Sequence, residues 1–370
     1  MKTKIIRKAF AEANAAVKGC IGKDALSIFA KVRLDATGGN VSLTGADGVM
    51  QLEWRLKGET DEDGAVTVPG ARLAAFAAAM PDGVVAIETT ATKMKLEGGE
   101  GVSFRLASDV KEVYPAMVGP VADAPVAPLP ACTLREMLRK VKFAVSTEST
   151  RANLGGVNIS LADGKLTMVA TDGRRLAHIE FKVGTRPEDT FNMTMPGKAV
   201  GVLYGLLEKV DDGEDVDLAA DANAARVLCA GWSFTTKAVA DAFPNWRQVV
   251  PKDPGHLATI GRREFLEALG RAALASADGS GVKIEIAPGR VSFKAKSEFA
   301  SAAAVTDKCK LAEDVKVVLS FNSRLLKDAL DALDDDEFTL CFSDERSPIV
   351  LKCTVPWLAV VMPVMPLRIS

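Results

Sequence analysis

The alternation of apolar and polar residues is cleanest between Val157 and Val183. There Val157, Ile159 and Leu161 alternate with other residues, Leu166 and Met168 resume the pattern, and Leu176, Ile179 and Phe181 follow. This period of two predicts three short strands. Asp163-Gly164 and Asp172-Gly173 separate them, and each predicts a tight turn, because glycine accepts a positive φ without a Cβ clash. The same grammar is written upstream around Gly39 and Gly48, and in part downstream around Gly289, with Glu298 where a second glycine would fall. Gly39, Gly164 and Gly289 are equally spaced at about one third of the chain, which marks an internal triplication.

Each copy is expected to open with an amphipathic helix. In the first, Ile5, Ala9, Phe10, Ala13 and Val17 can face a core while Lys4, Arg7, Lys8 and Lys18 lie outside. The corresponding runs are TLREMLRKVKFAVS in the second copy and TIGRREFLEALGRAALASAD in the third. A second helix follows a later strand in each: after Pro69, after Pro196, and after Phe321, where Asn322 or Ser323 can cap it. Two proline-rich stretches, from Pro115 to Pro130 and from Pro244 to Pro254, can neither continue a helix nor pair as central strands, so extended linkers are expected there. The expected architecture is α+β: three tandem domains over residues 1–118, 129–250 and 257–370, each with two helices and antiparallel strands.

Composition narrows the class. Charged residues make up 25% of the chain and hydrophobic ones 48%, without an apolar run long enough to span a membrane. The amino-terminal segment is too charged for a secretory signal, and the six cysteines form no CxxC pair, so reduced core thiols, no structural metal and a cytoplasmic location are expected. A net charge of −2 argues against a protein that simply adheres to DNA, because non-specific duplex binding requires an excess of cations. The placement of charge says more than its sum. Arg7 with Lys18, Arg135 with Arg139 and Lys142, Lys198 with Lys209, and Arg262 and Arg263 with Arg271 each fall on or near one helix face, and such faces recur in all three copies. Taken singly, any of these charges reads as a solvated surface.

Four features together resemble the β sliding clamp of bacterial DNA polymerase III: the run ATDGRRLA from Ala170, the run FPNWRQVVP from Phe243, the tail VVMP from Val360, and the threefold repeat. The resemblance implies a non-catalytic head-to-tail homodimer whose twelve helices line a hole for duplex DNA, without cofactor. It implies tethering of DNA polymerase III, the clamp loader and other proteins through linear peptides. The basic residues above would face DNA, and Lys23 matches a further DNA-contacting position, whereas Glu148 stands where the family has a neutral amide. Leu154, Thr171, Gly173, Arg174, Leu176, Pro244, Gln248, Val249, Val360, Val361, Met362 and Pro363 would form a groove for leucine and phenylalanine anchors. Arg174 stands where the family often has histidine; Gln248 stands where it often has arginine and lacks that fixed charge, so acidic residues flanking the anchors should matter less here. Phe104 and Leu106 would meet Leu274 and Ala275 across the dimer interface.

Two other readings stand beside this one. A clamp-like paralogue serving a dedicated polymerase would share every feature above. A carboxylate-dependent nucleic-acid hydrolase could use Asp47 and Asp172, which fall in equivalent loops, although Asp-Gly turns explain both. The chain has only two histidines, His178 and His256, and no phosphate-cradling glycine motif.

Overall fold

The computed structural model describes residues 1–24, 26–109, 113–251, 255–276, 281–298, 300–307, 309–311, 315–344, 347–352 and 359–364, the last six (and Glu100) as backbone only. Contacts divide the chain into two compact units, one of residues 1–132 and 201–238, the other of 133–200 and 239–370. The second copy of the repeat thus contributes to both. Its strands Asp215–Ala220, Ala224–Cys229 and Trp232–Lys237 join the sheet of the first copy, where Trp232–Lys237 pairs with Met50–Glu62. Its strand Leu176–Lys182 pairs with Ala359–Val364 of the third.

The strand triplets lie where the alternation places them. They are Lys31–Thr37, Asn40–Ala46 and Met50–Glu62 in the first copy; Gly156–Ala162, Lys165–Thr171 and Leu176–Lys182 in the second; Val282–Ala287, Arg290–Lys296 and Ser301–Thr306 in the third. Asp163 and Gly164 have φ of 51° and 67°, the doubly positive conformation of the two-residue hairpin turn. Six α-helices are present among the described residues: α1 (Arg7–Val17), α2 (Gly70–Ala79), α3 (Ala131–Lys142), α4 (Gly197–Leu207), α5 (Arg262–Ala273) and α6 (Ser323–Asp331). Asn322 caps α6 by accepting from the backbone N–H of Arg324 and Leu325 at 3.0 and 3.3 Å. None of these helices is long and apolar enough to cross a membrane.

One expectation is corrected at the start of each copy. The first element is a strand and not a helix: Lys2–Ile6, Val126–Pro130 and His256–Gly261. Each pairs with a late strand of its own copy, Val84–Thr89, Asp215–Ala220 and Glu337–Phe342 respectively. The chain then turns into the helix through one recurring hydrogen bond of 2.8 Å, from Arg7 N to Gly83 O, Ala131 N to Glu214 O and Arg262 N to Asp336 O. Val126–Pro130 forms despite Pro128 and Pro130 because it ends its sheet, and a sheet edge tolerates missing N–H donors. Tyr114, just ahead of that linker, is pinned as well. The Tyr114 hydroxyl donates to Lys31 O at 3.1 Å and accepts from Ala46 N at 2.8 Å, and burial pushes its pKa up to about 12.

Apolar burial holds each unit together. Phe10, Val17, Leu34, Leu43 and Leu73 are fully buried between α1, α2 and the strands of the first unit. In the second, Phe265 of α5 meets Phe293 and Phe338 edge-on at 4.8 and 5.3 Å between ring centroids, geometry that aromatic quadrupoles favour. Cys20, Cys309 and Cys341 are buried and outside any disulfide, and burial raises the pKa of the latter two.

Candidate functional site

The turn Thr171–Arg175 is shaped by its own side chains. Asp172 Oδ1 accepts from the backbone N–H of Arg174 and Arg175 at 2.9 and 3.0 Å. The Thr171 hydroxyl donates to Arg175 O at 2.7 Å and accepts from Gly173 N at 3.1 Å. Gly173 has φ of 85°, and an added Cβ would come within 2.7 Å of the Arg151 guanidinium. The first-copy counterpart, Asp47, likewise accepts from Val49 N and Met50 N, both at 2.9 Å. Both aspartates are therefore occupied as turn caps.

Arg175 locks the turn in place. Its guanidinium reaches Asp172 Oδ2 at 3.1 Å, Phe143 O at 2.9 Å, Leu325 O at 3.3 Å and Asp328 Oδ2 at 2.8 Å, and lies 5.0 Å from the Phe143 ring centre. Beside it the short helical turn Trp246–Gln248 buries the Trp246 indole against Val169 and Leu176, with Phe243 and Val250 packed around. The His178 ring lies 4.4 Å from the Trp246 ring, tilted by 39°.

Between these features lies a cavity of about 290 Å³. Leu154, Thr171, Gly173, Arg174, Leu176, Pro244 and Val249 line it, joined by Arg175, Asn245 and Trp246. Seven expected groove residues thus come together from three separated segments. Gln248 does not: it is exposed and outside the lining. The strand Ala359–Val364 runs beside Leu176–Lys182, with Val361 opposite His178 and Val360 opposite Ile179, while Met362 and Pro363 pair on the other side with Leu351 and Val350. Sequence reasoning missed Trp246 and Arg175, although both sit inside the motifs that carried the resemblance. The signal was an aromatic and a second arginine in otherwise polar turns.

Domain models of the DNA polymerase III beta subunit match in series: the N-terminal domain over residues 1–118, the central domain over 128–245 and the C-terminal domain over 247–366. The chain belongs to this family. It is 26% identical over 350 residues to the beta sliding clamps of Staphylococcus epidermidis and Staphylococcus aureus, with 92% of each chain covered. Among solved structures, a sliding clamp from Pseudomonas aeruginosa with ligand superimposes at a TM-score of 0.92 and 24% identity. A sliding clamp from Bartonella birtlesii bound to griselimycin does so at 0.90 and 27%, and both comparisons cover all of each chain.

For a beta subunit the basic helix residues carry particular interest, and they divide into two groups. Arg7 donates to Met80 O and Ala78 O at 3.0 and 2.8 Å, at the end of α2, and meets Asp82 at 3.3 Å. Arg262 does the equivalent for α6, donating to Asp335 O at 2.9 Å and Leu330 O at 3.5 Å. Arg139 forms a bidentate pair with Glu136 at 2.8 and 2.7 Å and also meets Asp334. Each of these three residues, expected to face DNA, has carbonyl or carboxylate partners that hold the helices together. Lys18, Lys23, Lys198, Lys209 and Arg271 are exposed, Arg271 beside Glu267 at 3.2 Å; Arg135 and Lys142 are partly buried on α3. Glu148 meets Arg151 at 3.4 Å and Arg174 at 3.9 Å, which offsets its charge.

The residues expected at a dimer contact also divide. Leu106 and Ala275 are buried in their own units and offer no surface, which corrects that expectation. Leu274 is 87% exposed, and Phe104 is partly exposed while stacked on Phe76 at 4.4 Å.

Proposed function

We propose that the protein is a DNA sliding clamp. Two copies, each with domains over residues 1–118, 129–250 and 257–370, close head to tail into a ring around duplex DNA in the cytoplasm. The cavity of each copy holds a linear peptide of DNA polymerase III, the clamp loader or another partner. The observation that carries this reading is the assembly of one cavity from Leu154, the turn Thr171–Leu176 and the segment Pro244–Val249, within a chain whose whole length is one repeat taken three times.

The chemistry suits that task. Leu154, Leu176, Trp246 and Val249 offer apolar walls for leucine and phenylalanine anchors, and a few buried anchors carry most of the energy of such contacts. Val360, Val361, Met362 and Pro363, which the resemblance assigns to the groove, lie on the strand that pairs with Leu176–Lys182. Lys18, Lys23, Lys198, Lys209 and Arg271, with Arg135 and Lys142, would supply dispersed phosphate contacts that read no bases. The net charge of −2 keeps those contacts weak, so topology and not affinity retains the ring. Phe104 and Leu274 would seal a heterologous interface. The protein acts by tethering, with no chemical step of its own.

The test is retention. Loaded on a nicked circular plasmid, the protein should stay bound, and cutting the circle should release it. Binding to a short open duplex should be weak and fall further with salt. Tight, salt-resistant binding to the open duplex would reject topological tethering.

A further inference from the structure

A second cavity of about 540 Å³ lies beside the first and shares Pro244, Asn245 and Trp246 with it. Its chemistry is different. Asn158, Ser160, Thr190, Asn192, Asn245 and Arg247 contribute its polar groups, and no carboxylate is among the described residues that line it. Asn158 is buried, with its amide nitrogen donating to Asn192 Oδ1 at 2.9 Å, Met193 O at 3.3 Å and Thr194 Oγ1 at 3.3 Å. Since Asn192 Oδ1 accepts there, its own amide nitrogen remains a donor for a guest.

Arg247 is the charged residue of this lining. Its guanidinium carbon lies over the Trp246 ring, 4.5 Å from the ring centre, and it has no ion-pair partner among the described residues. The cation–π contact holds the guanidinium at the ring while its N–H groups stay available for a two-pronged contact with a carboxylate. Pro244 and Asn245 are exposed where the two cavities meet, so an extended chain anchored in the first can pass over them into the second.

We infer that this polar cavity is a subsite for an acidic residue flanking the anchors of the partner peptide, with Arg247 as the residue that selects it. The inference rests on the first cavity being the peptide groove. It also replaces the expectation drawn from Gln248, which lines neither cavity: the cation that reads flanking acid is the preceding residue.

The experiment uses full-length protein and fluorescent peptides with one leucine–phenylalanine anchor pair, flanked on either side by aspartates or by asparagines. Wild type should prefer an aspartate-flanked peptide by about tenfold, the scale of one charge-assisted contact. Arg247→Gln should erase the preference, weakening the aspartate peptide far more than the asparagine peptide. Asn192→Asp, which places a carboxylate in the cavity without touching Trp246, should also erase or reverse it. Leu176→Ala should weaken both peptides alike. An aspartate preference that survives both Arg247→Gln and Asn192→Asp overturns the subsite and leaves the groove standing. No binding of any peptide to wild type overturns both.

Discussion

Arg175 and Asp328 stand 153 positions apart in the chain and meet at 2.8 Å, which joins the wall of the apolar cavity to helix α6. The same guanidinium satisfies two carbonyls and also Asp172 within the turn, so the turn that shapes the cavity is anchored at three points outside itself.

Arg175→Ala should therefore destabilise the second unit by roughly 2–4 kcal/mol, because it strands a partly buried carboxylate and two carbonyls. Arg175→Lys keeps the charge but cannot span the same partners, so it should recover only part of the loss. Urea denaturation reads both. Wild-type midpoints in the alanine variant would show that the anchoring carries no weight.

Lys140 makes a similar case deeper in the fold. It is 1% exposed, and its ammonium reaches Glu136 at 3.1 Å, Asp334 at 2.9 Å and Ala332 O at 3.3 Å. Lys140→Ala takes one of two cations from Glu136 and Asp334, leaves Ala332 O without its side-chain donor and opens a void, with an expected cost of about 3 kcal/mol. Lys140→Met fills the void and should cost less, a ranking that thermal unfolding can check.

Acid should find the same cluster. Burial pushes the Glu136 carboxyl up, but hydrogen bonds from Arg139 and the charges of Arg139 and Lys140 outweigh it and bring the pKa to about 2, from an ordinary 4.5. The hydrogen bond with His178 leads in bringing Glu180 to about 2 as well. Folded values below the unfolded ones mean stability that is complete above the ordinary carboxylate range and lost as pH falls toward about 2. Stability measured from pH 7 downward should stay nearly flat and then drop through that window. Glu136→Gln should make the drop shallower, and an identical slope in the variant would assign the acid sensitivity elsewhere.

Val249 and Leu176 separate binding from folding. Val249 is 56% exposed at the cavity, so Val249→Asp should leave the unfolding midpoint near wild type while abolishing binding of an anchor peptide. Leu176 is buried, and Leu176→Ala should lower both stability, by about 2–4 kcal/mol, and affinity. Undiminished peptide binding in the Val249→Asp protein would place the groove elsewhere.

Exposure makes a matching distinction at the proposed ring interface. Leu274→Asp should convert dimer to monomer in sedimentation at low concentration with little change in thermal stability. Leu106→Asp should instead unfold the first unit, since that side chain is 3% exposed. A dimer that survives Leu274→Asp moves the interface.

The sequence by itself determined the strand triplets, their turns and the paired helices, because these follow from local causes. Apolar alternation fixes which face of a strand is buried, and Gly39, Gly164 and Gly289 supply positive φ where a hairpin needs it. Cavity residues in the runs beginning at Ala170 and Phe243 were also legible, through resemblance. Tertiary structure decided the rest. Five-residue strands such as Lys2–Ile6 carry too little pattern to declare themselves and form because a distant strand completes their hydrogen bonds. Helical spacing places Arg7, Arg139 and Arg262 on a face but cannot say whether carbonyls or carboxylates from remote segments will occupy them. Leu106 and Leu274 look alike as letters; one fills a core and the other stands in solvent, because burial is a property of what the whole chain brings alongside.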